Sequence, residues 1–83
     1  MNEDLIKKAF LEKRVAYTAT HGDAGEIIKY LHICDTPESA TKVASTDIVE
    51  DWGGVWVEIW GGIPHTIDEV MELAKRVGNQ RDI

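Results

Sequence analysis

The chain has a single cysteine, Cys34, so no disulfide can close within it, and a reducing, cytoplasmic setting is expected. It has no Cys-x-x-Cys, and His21, His32 and His65 stand too far apart in sequence to form a recognisable metal motif. No metal or cofactor is implied. No apolar run approaches the ~20 residues that span a bilayer, and the acidic first residues do not resemble a signal peptide, so no membrane partner is expected. Its glycines match neither a Walker loop nor a dinucleotide fingerprint. There is no internal repeat, linker or low-complexity segment.

Positive charge is scarce where negative charge is dense. Net charge is -6, and the span from Asp35 to Glu58 holds six acids against one base, Lys42. Direct nucleic-acid binding through phosphate neutralisation is therefore disfavoured for the chain as a whole. The basic cluster Lys7, Lys8, Lys13 and Arg14 reads as a solvated helix surface. Eighty-three residues, 43% of them hydrophobic, make one domain over 1–83, near the lower end of what one apolar core stabilises unaided.

What is present is organised around Gly53-Gly54-Val55-Trp56-Val57-Glu58-Ile59-Trp60-Gly61-Gly62. Six strand-forming residues lie between two glycine pairs. Val55, Val57 and Ile59 share one face of such a strand and Trp56, Glu58 and Trp60 the other. Apolar residues on both sides predict a strand covered on both faces. The recurrence of Trp52, Trp56 and Trp60 every four residues also fits a helix, but the paired glycines and β-branched filling favour the strand.

Elsewhere the pattern predicts a first helix capped by Asn2, with a stripe of Leu5, Ile6, Ala9 and Phe10, and Lys13 and Arg14 at its C-terminal end. A strand follows over 14–20 and a turn over 21–25. Residues 26–34 carry both a capping-box pattern and a strand composition; a strand paired to the first is preferred. Thr36-Pro37-Glu38 starts a helix expected to run over 37–52 on Ala40, Val43, Ala44, Ile48 and Trp52, ended by Gly53-Gly54. After the organising strand, Gly61 to His65 reads as a loop. Thr66 with Glu69 then caps a helix on Ile67, Val70, Met71, Ala74 and Val77, terminated at Gly78, with 79–83 a loose tail. The expected fold is a small two-layer α/β or α+β sandwich. Its three-stranded mixed sheet has the order α-β-β-α-β-α and one right-handed βαβ crossover joining parallel strands 26–34 and 55–60.

Two groups of residues are candidates for function. Asp47, Glu50 and Asp51 would sit at the C-terminal end of the second helix, where its dipole disfavours them, which suggests retention for docking. Trp56 and Trp60 around Glu58 resemble interface anchors, with the acid a natural partner for Arg or Lys. Together they point to a non-enzymatic protein that acts by binding another protein, with a homodimer favoured and a basic surface of a partner as a specific version. The alternative is a small-ligand or anion-binding protein or minor enzyme. It would use the carboxyl edge of the βαβ unit, where Cys34, Asp35 and Thr36 would face Gly61, Gly62 and the helix start at Thr66. Cys34 with His32 two residues earlier could form a thiol nucleophile, but an inert buried cysteine is the commoner case.

Overall fold

The computed structural model describes residues 3–75 and the short strand Gln80–Asp82. Its elements are α1 (Glu3–Leu11), β1 (Val15–His21), β2 (Ile27–Ile33), α2 (Pro37–Ala44), β3 (Asp47–Trp52), β4 (Val55–Gly62), α3 (Ile67–Lys75) and β5 (Gln80–Asp82). The strands form one sheet in the order β3-β4-β1-β2-β5. All pairings are antiparallel except that of β5 with β2, which is parallel.

The α/β class holds, and the detail differs. Four antiparallel strands, not three, precede α3, because the second half of the expected helix 37–52 is β3. The helix starts as its sequence dictates: the Thr36 hydroxyl accepts the Ser39 N–H at 3.1 Å, and Pro37 occupies the first turn. It ends at Ser45, whose N–H turns back to Thr41 and Lys42 carbonyls. The expected βαβ crossover joining 26–34 to 55–60 does not form, because β3 intervenes between α2 and β4. β2 and β4 do run in the same direction, since both are antiparallel to β1, but β1 lies between them. The preferred strand reading of 26–34 corresponds to β2, and β1 and β2 pair from Val15↔Ile33 to His21↔Ile27. The expected loose tail is, over Gln80–Asp82, a strand on β2, while residues 79 and 83 and the helix end at Val77 and Gly78 lie outside the described residues. So does the Asn2 cap.

Two apolar clusters sandwich the β1–β2 part of the sheet. On one face α1 and α3 bury Ile6, Ala9, Val70 and Leu73 against Val15 and Leu31. On the other, α2 lays Ala40 on Ala16 and Cys34. The second cluster is built of small side chains, so α2 approaches the sheet closely. Gly61 permits this: a Cβ there would collide with the Val43 carbonyl oxygen and lie 2.8 Å from the Ala44 carbonyl. Helix α1 closes with the N–H groups of Lys13 and Arg14 on the Phe10 and Ala9 carbonyls at 3.0 and 2.8 Å, the Schellman arrangement. Lys13 occupies the left-handed position (φ 61°) where glycine is usual. Leu5, counted in the α1 stripe, is exposed, and Leu73, left out of the α3 stripe, is buried.

All three helices therefore pack on β1 and β2 or on the base of β4. Beyond that base, β3 and β4 are left to themselves.

Candidate functional site

β4 pairs with β1 only from Ile59 to Gly62, whereas β3 follows β4 from Trp60 back to Val55. Val55–Glu58 and the β3 residues opposite them thus project past the rest of the sheet as a two-stranded arm, in a molecule whose extents are 41 × 24 × 19 Å. Gly53 and Gly54, at φ 66° and 91°, form the two-residue turn at its tip. Positive φ at both central positions is the geometry that matches the twist of a hairpin, and paired glycines supply it without strain. Asp51 adds a brace: its Oδ1 accepts the Gly54 N–H at 2.8 Å.

Every residue of β3 is exposed. Trp52 and Trp56 retain 55% and 74% of their accessible surface, against 0% for Leu31 in the core. The expectation of a strand covered on both faces is corrected, for Val55, Trp56 and Glu58 are exposed and Val57, Ile59 and Trp60 are half-buried. A strand covered on both faces and an uncovered strand meant for a partner carry the same apolar pattern, and the helices here pack on β1 and β2.

The register sorts the arm into two faces. One carries Ile48, Glu50 and Trp52 beside Ile59, Val57 and Val55, and is apolar apart from Glu50. The other carries Asp47, Val49 and Asp51 beside Trp60, Glu58 and Trp56, so each tryptophan stands across from an aspartate. Trp60 anchors this face to the body by packing on His21, ring centroids 5.1 Å apart. The Thr20 hydroxyl donates to the Glu58 carbonyl at 3.0 Å, tying down the base of the arm.

Asp47, Glu50 and Asp51 are not at a helix end, so the dipole argument for them falls. They lie on an extended strand, and Glu50 receives the Trp52 indole N–H at 3.3 Å. What survives is their clustering. Four acids and no Lys or Arg lie between Asp47 and Gly62, and no Lys or Arg occurs from Val43 to Ala74. Sequence reasoning placed Trp56, Glu58, Trp60, Asp47, Glu50 and Asp51 among the partner-facing residues; the structure brings five of them onto one face and puts Glu50 on the other, beside Val57. It missed Ile48, Val49, Trp52 and Val55. The signal for them was the Gly53-Gly54 pair between two β-branched runs, itself a hairpin signature.

The alternative ligand edge is not assembled. Gly61 and Gly62 belong to β4 rather than to a loop; Gly61 donates its N–H to the Thr46 carbonyl at 2.8 Å, and Gly62 lies against the Tyr17 ring. Gly61 packs at the C-terminal end of α2, whereas Thr36 caps the other end, and the Thr66 hydroxyl is engaged by the Glu69 N–H at 3.1 Å. Cys34 is buried, and burial with the neighbouring Asp35 charge pushes its thiol pKa up, against a lowering by Arg14. His32 Nε2 is hydrogen-bonded to the Thr18 hydroxyl at 2.8 Å. A thiol held protonated is a poor nucleophile. Near this edge an open groove of about 570 Å³ runs between α1, α2 and the β4–α3 connection, with Phe10, Ile63 and Pro64 as apolar walls and Lys13 and His65 among its polar lining residues. Among the described residues no cluster of three or more His, Cys, Asp or Glu side chains could hold a metal ion, and no helix is long and apolar enough to cross a membrane.

Compared with known proteins, the chain matches no family model, no curated protein and no solved structure.

Proposed function

We propose that the chain is a non-enzymatic binding protein of the cytoplasm whose β3–β4 arm docks on a basic surface of another protein. The observation that carries this reading is the exposed arm itself. An isolated two-stranded hairpin is marginally stable in water, and exposed contiguous apolar surface rimmed by polar residues characterises interaction sites. Here Ile48, Trp52 and Val55 offer apolar area and Trp56 an aromatic anchor, while the four arm acids set the sign of the partner. The same acids count against a second copy of the chain as the occupant, because two arms laid together would bring like charges side by side.

A small-molecule reading has one observation in its favour, the groove between α1 and α2. Its volume is within the range of ligand pockets, and Lys13 would suit the anionic end of an otherwise apolar ligand. The arm reading ranks first because it explains surface that the fold leaves uncovered.

The test compares affinity capture from native lysate by the wild-type chain and by a Trp52→Ser/Val55→Ser/Trp56→Ser variant. A polypeptide held by the wild type, lost by the folded variant, and rebinding when purified supports the reading. Identical captures by the two chains contradict it.

A further inference from the structure

Resting on the arm reading, we infer that the receptor surface is the free edge of β3, and that its occupant is an extended segment of a partner protein in which basic and apolar residues alternate. Hydrogen-bond phase identifies the edge. Gly61 donates to the Thr46 carbonyl, so Thr46 and Gly61 form a hydrogen-bonded pair of the hairpin. Such pairs recur every second residue in an antiparallel ladder. The inward-bonded residues are therefore Ile48, Glu50 and Trp52, opposite Ile59, Val57 and Val55. The backbone N–H and C=O groups of Asp47, Val49 and Asp51 point the other way, outward from the last strand of the sheet. β3 contains no proline and no lysine, two of the usual blunting devices, and all of it is exposed.

Its acids act as a selective guard instead. Pairing two β3 strands from two copies would line three acids from each along one seam, which disfavours self-assembly. A basic strand meets no such penalty. In antiparallel addition, partner residues opposite Asp47, Val49 and Asp51 share the face of those residues and of Trp56, Glu58 and Trp60. Bases at these alternate positions, about 6.8 Å apart along a strand, fall beside Asp47 and Asp51 and within reach of the tryptophan faces. The intervening residues fall beside Ile48, Glu50 and Trp52, where apolar side chains fit. Main-chain bonds would supply affinity and the alternation specificity, as in other strand-addition complexes.

Three capped nine-residue probes test this by fluorescence anisotropy: one alternating arginine with valine, one of the same composition with the arginines in a block, and the alternating one N-methylated at its arginine amides. The alternating probe is expected to bind at least tenfold tighter than the block, and to weaken as salt is raised. N-methylation at the arginine amides should cost at least tenfold, since these are the amides that face β3. Val49→Pro should abolish binding while the hairpin stays folded, because that N–H is not used within the arm and proline is tolerated at such edge positions. Equal binding of the alternating and block probes, or undiminished binding of the N-methylated one, overturns strand addition; so does retention by Val49→Pro. If the probes fail in this way while the serine variant above still loses its partner, the arm remains the binding surface and only the edge mechanism falls. If the serine variant loses nothing, the arm reading itself falls.

Discussion

Replacing Gly61 by alanine should destabilise the protein far more than one methyl group suggests. The added Cβ would meet the Val43 carbonyl oxygen and the Ala44 carbonyl, and these are backbone atoms of α2 that no rotamer change can move. The helix would have to lift from β4. Its Ala40 packs on Ala16 of β1 and on Cys34 just after β2, small residues whose contacts cannot stretch to follow it. Overpacking of this kind costs about 1–3 kcal/mol. A domain of this length has a total stability of roughly 4–12 kcal/mol, so the loss is a large fraction, and a change of about 2 kcal/mol would lower Tm by roughly 8–16 °C. Urea denaturation followed by far-ultraviolet circular dichroism measures it. Gly53→Ala provides the contrast: nothing lies near its Cβ position, and the roughly 1 kcal/mol cost of its positive φ is confined to the arm tip. A Gly61→Ala protein within about 0.5 kcal/mol of wild type would refute the close packing of α2 on β4.

Trp56→Ala should change global stability by less than about 0.5 kcal/mol, because the side chain touches little of the body, whereas Leu31→Ala should cost about 2–5 kcal/mol; denaturation midpoints compare them. Lys13→Gly should stabilise by about 0.5–1 kcal/mol, since the left-handed conformation strains lysine and not glycine, and thermal melting would show the gain. Asp51→Ala removes the acceptor of the Gly54 N–H and should loosen the tip by about 1 kcal/mol, seen as faster amide exchange at Gly54 with an unchanged core. The raised Cys34 pKa means that the folded state holds the thiol proton more tightly than the unfolded state does. Its contribution is whole below the unfolded thiol pKa and is lost as pH rises through the folded value; Cys34→Ala should flatten that part of the stability–pH curve.

Local chemistry made much of the body legible. Thr36-Pro37 and Thr66 with Glu69 specify helix starts with side chains that satisfy named N–H groups, and both are used. The strand composition of 26–34 won over its capping-box pattern because β1 needed a partner across the 22–26 turn, closed by the Gly22 N–H on the Glu26 carbonyl at 2.7 Å. Residues 47–52 read as helix for a physical reason. Ile48 and Trp52 continue the helical spacing of Ala40, Val43 and Ala44, so a helical stripe and a strand beside a Gly-Gly turn fit the same letters. Gly53-Gly54 ends a helix or turns a hairpin with equal ease. The candidate binding residues Trp56, Glu58 and Trp60 were identifiable from composition alone, but their exposure was not. Burial is decided by how many elements the chain has left to cover a strand, which no local pattern records.

Strand addition requires that β3 present an unpaired backbone edge. Amide hydrogen exchange of the free protein, resolved residue by residue by NMR, tests it most directly. Exchange should alternate along β3: slow at Ile48, Glu50 and Trp52, bonded to β4, and fast at Asp47, Val49 and Asp51, whose N–H groups face solvent. Slow exchange at all six would mean that the edge is already covered, and fast exchange at all six that the arm is not formed; either result contradicts the account.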